Sequence, residues 1–200
     1  MNVHSMLPTV TPHEKPDKRE AILDAALELF AERGFHGTAV PLVAERAKVG
    51  AGTIYRYFES KEALVNALYQ REKQALGAAI VDAFPFDSPP RAQFHFFWDR
   101  ISVYALAHPT ELAFLELHHH APYLDATSRA VEEAVLAPAF VFFQNAIEAQ
   151  VVKPLDPMLL GALVWGAFTG LVRAAREGRL PLTPESLLRA EECCWEAIRR

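Results

Sequence analysis

Apolar residues recur at every third and fourth position along almost the whole chain, and no stretch alternates as a strand does. A chain with that period builds helices and little else. Proline, glycine and short polar residues punctuate the period, so the helices can be counted. Asp17-Lys18-Arg19-Glu20 has the form of a capping box. Behind it, Ile22, Ala26, Leu29 and Arg33, flanked by Leu23, Leu27 and Phe30, make the stripe of a first helix that stops at Gly34. Thr38 is placed to cap a second, short helix with Pro41 in its first turn. Lys48-Val49-Gly50 interrupts it, a third helix runs over about 51–58, and Ser60 caps a long fourth one reaching Phe84-Pro85. A fifth helix carries Phe94, Phe97, Trp98, Ile101 and Ala105, and a sixth covers 110–118. A seventh spans about 125–150 with a kink expected at Pro138. Asp156-Pro157 and Thr183-Pro184, each a cap followed by proline at the first helical position, start the eighth and ninth. The expected fold is all-α, in two parts. Residues 17–62 form a three-helix unit, joined by a long helix to a helical domain over 63–200, with 1–16 as a loose tail.

Charge divides unevenly along the chain. Residues 1–75 hold 10 Lys/Arg and 10 Asp/Glu; residues 76–200 hold 10 and 15, so the net −5 belongs entirely to residues 76–200. An acidic total therefore does not exclude a polyanion partner for residues 1–75. The N-terminus lacks the basic start and apolar run of a secretory signal. The most apolar run, 158–172, falls short of the ~20 residues a bilayer span needs. Cys193 and Cys194 are the only cysteines and are adjacent, so no disulfide framework is expected. A cytoplasmic protein with no membrane partner is the expectation.

On a helical wheel the third helix sorts its residues sharply. Ile54 and Phe58 share one face; Gly52, Thr53 and Arg56 point away from it, with Tyr55 and Tyr57 on either side. Gly50, Ala51 and Gly52 allow a backbone to approach bases or phosphates. Arg56 can fork onto a guanine edge, and Thr53 can meet a thymine methyl. Tyrosine hydroxyls and Lys61, at the start of the next helix, suit phosphate oxygens. The same period also fits a surface helix whose tyrosines pack on neighbours.

Three strings, "AILDAALELFAERGFHGTAV", "VAERAKVGAGTIYRYF" and "SKEAL", resemble the helix-turn-helix domain of the TetR/AcrR family of bacterial transcriptional regulators. The resemblance implies a recognition helix at about 50–58. Thr38, Tyr57 and Lys61 match phosphate-contacting positions, while Ala51, Gly52, Thr53, Tyr55 and Arg56 match positions that face the groove. Two departures stand out. Lys48 occupies a turn position where glycine is usual, implying a left-handed lysine or an altered turn. Pro41-Leu42 replace a usual polar pair, leaving Leu42 either buried or near the DNA backbone.

The resemblance further implies that 63–200 is an effector-binding and dimerisation domain, with double-stranded operator DNA, a small hydrophobic or amphipathic effector and a second copy as partners. Ten of the 13 phenylalanines follow residue 83, as do all three tryptophans. Phe94, Trp98, Tyr104, Phe114, Phe140, Phe143, Trp165 and Phe168 are the candidates to line an aromatic cavity. If Asp99, Glu116 or Glu148 faces inward, a cationic ligand is favoured. A helix apolar nearly all round needs partners on both sides, and the eighth is such a helix. A dimer interface is expected at Trp165, Gly166, Gly170, Leu187, Cys194, Trp195 and Ile198, forming a four-helix bundle with the partner's copies. The histidines at 118–120 diverge by 100° each on a helix, with no cysteine or acid at ligand spacing, so no metal site is expected. Nor is a catalytic set or cofactor loop. The expectation is a ligand-responsive repressor that binds a palindromic operator as a homodimer. The alternative is a regulator of the same fold controlled by a protein partner, or one without a small-molecule ligand.

Overall fold

The computed structural model describes residues 17–117 and 120–200. The expected tail at 1–16 lies outside the described residues, as do His118 and His119. Among the described residues there are nine helices and no strand. They are α1 (Lys18–Gly37), α2 (Val40–Arg46), α3 (Ala51–Tyr57), α4 (Lys61–Val81), α5 (Pro90–Ala107), α6 (Pro109–Leu117), α7 (Ala126–Glu148), α8 (Pro157–Arg176) and α9 (Pro184–Ile198).

The start signals work as their chemistry demands. Asp17, Ser60, Asp125, Asp156 and Thr183 each accept from backbone N–H groups of the following turn. Such caps are worth about 1 kcal/mol each. α2 differs from expectation: its N-cap is Ala39, which makes no side-chain cap. The Thr38 hydroxyl is turned the other way, its single proton shared between Leu29 O (3.1 Å) and Gly34 O (2.9 Å) of α1, which Gly34 breaks at φ 68°. Lys48 takes φ 55°, the left-handed turn its position implied. α4 ends at Val81, short of the expected Phe84-Pro85, and Pro138 lies inside α7.

α1, α2 and α3 pack around Ile22, Phe30, Val43 and Ile54, all fully buried. α4 leaves that unit and runs beside α5 and α7, while α6 sits between α1 and the larger domain. Two polar devices hold α4 in place, one against α1 and one against α7. Arg71 on α4 reaches Glu20 (2.9 Å) and Asp24 (2.8 Å) on α1 as well as its neighbour Glu72 (2.7 Å). Asn66, one turn earlier and buried, donates to Glu62 O and Tyr123 O and accepts from Asp125 N and Ser128 Oγ, all within 2.9 Å. α4 is thereby pinned to the start of α7. Gly77, further along α4, marks the closest crossing: a Cβ there would lie 2.8 Å from Val135 Cγ2 on α7.

By length and composition alone, α7 and α8 are each sufficient to cross a membrane. α8 is 20 residues long, more than its apolar run suggested. In this fold it lies against α6, α7 and α9.

Candidate nucleic-acid interface and internal cavity

α3 is held by two residues. Ile54 and Phe58 are buried in the core of the N-terminal unit, and nothing else on the helix is. Gly50, Ala51, Gly52 and Arg56 are exposed and Thr53 is half-buried; Tyr55 and Tyr57 keep 56% and 44% of their surface open. A Cβ at Gly52 would meet nothing within 4 Å, so that side of the helix is clear of the protein. The tyrosines are partly open to solvent, the Tyr57 ring lying 6.5 Å from that of Phe58. Leu42 is half-buried against the core, and Pro41 is exposed.

Two candidate phosphate contacts are less free. Thr38 is 1% exposed, and its hydroxyl is occupied by α1. A buried hydroxyl whose proton is used inside the protein offers nothing to a phosphate. Lys61 stacks its ammonium 4.1 Å from the centre of the Phe35 ring. Burial lowers its pKa from the ordinary lysine value, and the neighbouring carboxylate of Glu62 opposes that shift. Phe35 in turn stacks on Tyr123 at 4.0 Å, and the Tyr123 hydroxyl meets His36 Nε2 at 2.7 Å. Lys61 thus belongs to a cluster joining α1, α4 and the loop before α7. Arg46 is engaged by Glu28, while Lys48 is exposed and has no ion-pair partner among the described residues.

The larger domain holds a cavity of about 280 Å³ between α4, α5, α7 and α8, partly open to the surface beside Leu136, Phe140 and Met158. Of the eight aromatic candidates, Phe94, Phe140, Phe143 and Trp165 line it. Trp98, Tyr104, Phe114 and Phe168 do not: they are buried in solid core, Trp98 donating from Nε1 to Leu187 O at 2.8 Å. Leu76, Ile80, Val135, Leu136 and Met158 complete much of the wall, and its one charged group is Lys73. Lys73 Nζ lies 3.2 Å from Glu116 Oε1, and Trp165 Nε1 donates to Glu116 Oε2 at 2.8 Å. Glu116 does turn inward, but both its oxygens are already engaged, so it does not present the free carboxylate a cationic ligand requires. Lys73 was not singled out from sequence. The signal existed: it continues the buried stripe of Tyr69, Leu76 and Ile80 at helical spacing.

The expected dimer residues divide in two. Leu187, Trp195 and Ile198 face their own chain's core, Trp195 packing 5.2 Å from the Phe94 ring, and Trp165 belongs to the cavity wall. The face of α9 that they form is used up within the protomer. Cys194 is half-buried beside them. Gly166 and Gly170 are exposed with open space at Cβ, and they continue a strip of exposed Leu159 and Leu163 along α8, with exposed Leu188 on α9. Among the described residues no group of three or more His, Cys, Asp or Glu is arranged to hold a metal ion.

A small N-terminal unit that offers one helix through a bare outer face, mounted on an all-helical domain with an apolar cavity, defines a helix-turn-helix regulator with an all-helical body. The chain belongs to the TetR family of bacterial transcriptional regulators. Residues 22–68 match the family described as "Bacterial regulatory proteins, tetR family", and 69–200 match the "Tetracyclin repressor-like, C-terminal domain". The two matches meet inside α4. The chain is similar to the uncharacterized regulator YhgD of Bacillus subtilis, 25% identical over 86% of this chain and 91% of that protein. It is also similar to the regulator RutR of Escherichia coli, 29% identical over 75% and 71%. A TetR-family structure from Vibrio parahaemolyticus superposes with a TM-score of 0.74, at 31% identity over 92% of this chain and all of that one. One from Marinobacter aquaeolei, at 24% identity, shares the fold with a TM-score of 0.80.

Proposed function

We propose that the chain is a homodimeric repressor, with 17–62 reading a palindromic operator and 63–200 binding a small apolar effector that releases it. The observation that carries this reading is the continuity of α4. The same helix starts beside α3, at Lys61, and walls the cavity with Lys73, Leu76 and Ile80. A ligand that prefers one arrangement of α4 against α7 has a direct mechanical route to the spacing of two recognition helices, and half-sites one DNA turn apart tolerate little error in that spacing. Arg56, Thr53, Tyr55 and Tyr57, with the backbone at Gly50–Gly52, face the groove. Lys48 joins them at the phosphates in place of Thr38.

The exposed strip of α8 with Leu188 of α9 is the surface proposed to meet a second copy. A relative named the fatty acid metabolism regulator protein of Bacillus subtilis is 41% identical over 59 residues, 30% of each chain. That likeness supports a DNA-binding role and leaves the effector open. Such a protein works in the cytoplasm.

Fluorescence anisotropy on DNA upstream of the protein's own gene, with a panel of apolar compounds added, tests the reading. Salt-sensitive binding by a dimer, reversed by one compound class, is expected. Binding that no compound reverses refutes the effector role and favours control by a protein partner. No binding at low salt refutes the DNA-reading role of α3.

A further inference from the structure

The cavity wall is carbon almost throughout, so its single ammonium decides what can bind. Lys73 is 5% exposed and lies in the wall itself. An ammonium carries three N–H donors. Among the described residues, Glu116 Oε1, 3.2 Å away, is the one acceptor it has, and the Tyr69 ring, whose centre is 5.9 Å from Nζ, lies beside it. A lysine buried to this degree with donors left over is uncommon, because each unmet donor loses its water without replacement. The leftover donors are next to an empty apolar space.

Charge settles which acceptor suits them. Lys73 and Glu116 already neutralise each other, and Trp165 N–H secures the second oxygen of Glu116. An incoming carboxylate would give the site two anions and one cation in a dry setting. An incoming ammonium would give two cations and one anion, and would have to draw Glu116 away from both its partners. Either leaves one buried charge uncompensated. An uncharged acceptor satisfies a spare N–H and leaves the balance intact. Resting on the reading that this cavity is the effector site, we propose that the effector is an uncharged, mainly apolar molecule with one hydrogen-bond acceptor, such as a ketone, ester or lactone carbonyl, seated on Lys73 Nζ. With ~30 Å³ for each water-sized unit, the cavity of about 280 Å³ takes roughly ten non-hydrogen atoms.

Four probes of equal heavy-atom count separate the possibilities: heptyl methyl ketone, octanoate, nonylammonium and decane. Binding to the full-length protein is read by tryptophan fluorescence, since Trp165 is in the wall, and release from operator DNA is read in parallel. The ketone is expected to bind about tenfold tighter than decane, the effect of one good hydrogen bond, and tighter than either ion. In the Lys73→Met/Glu116→Gln variant, which removes both charges together, the advantage of the ketone over decane is expected to fall to about twofold with decane affinity retained. Octanoate or nonylammonium binding as tightly as the ketone overturns the proposal. So does a ketone advantage that survives in the double variant, or a wild-type protein that binds none of the four. A ketone that binds through Lys73 yet leaves the operator complex intact refutes the effector role while the ligand class stands.

Discussion

Asn66→Ala removes the polar joint between α4 and the start of α7, and its cost can be worked from the contacts. The side-chain amide serves Tyr123 O (2.7 Å), Asp125 N (2.9 Å) and Ser128 Oγ (2.7 Å), all beyond its own helix, besides Glu62 O within it. A net of ~1 kcal/mol for each of the three long-range bonds gives about 3 kcal/mol. Ser128 still accepts from Gln70 Nε2, but its buried hydroxyl proton loses its acceptor, so the desolvation penalty falls on the Ser128 O–H as well as on Tyr123 O. For a chain of this size that loss lowers Tm by roughly 6–12 °C, at ~2–4 °C for each kcal/mol. Thermal unfolding at fixed protein concentration measures it, concentration being held because a dimer's Tm depends on it. Ser128→Ala should cost about 1 kcal/mol alone, and the double variant should cost less than the sum, since both act on one network. A loss for Asn66→Ala under about 1 kcal/mol refutes the reasoning, as does strict additivity.

Arg56→Ala should cost about 1–3 kcal/mol of operator binding and relax base preference at one position of each half-site, seen by competition with single-base operator variants. With Lys48 and Lys61 as the phosphate cations, a dimer neutralises about four phosphates, so log K against log salt should fall with a slope of about −4, measured by anisotropy between low and moderate salt. Gly77→Ala should destabilise by about 1–3 kcal/mol through overpacking against Val135, and Val135→Ala should restore much of the loss in the double variant, both read by urea denaturation. Burial raises the pKa of Glu72, against the opposing bond from Arg71. The folded state therefore holds the Glu72 proton to higher pH than the unfolded chain, and stability falls as pH rises from the ordinary carboxylate value through the raised one. Glu72→Gln should flatten that decline, and thermal scans at several pH values will show it.

Legibility in the sequence followed the physics of each element. The α3 face could be drawn from a wheel because two large apolar residues four apart, Ile54 and Phe58, are enough to orient a seven-residue helix. Lys48 was readable because its departure was confined to one backbone angle. Thr38 was not. A hydroxyl before a helix serves equally the helix that follows and the carbonyls of the one before, and only the break at Gly34 decides. α9 misled for a related reason: it carries apolar residues on more than one side, and nothing in the spacing says which side meets its own chain. The cavity was the least legible part. Aromatic residues that fill a core and those that wall a void look alike in sequence, and Lys73 was hidden because lysine breaks an apolar stripe when it is counted as polar.

Among the described residues, Ile54 and Phe58 are the buried anchors of α3, while Tyr55, Arg56 and Tyr57 stay exposed. If α3 reads the operator as proposed, stability and target choice are written in largely separate residues. Mutations at Tyr55, Arg56 or Tyr57 would then drift through many combinations without unfolding the protein, each a trial of a new operator. A lineage built on this arrangement can duplicate and acquire new target genes while its cavity, its body and its partner surface remain as they were.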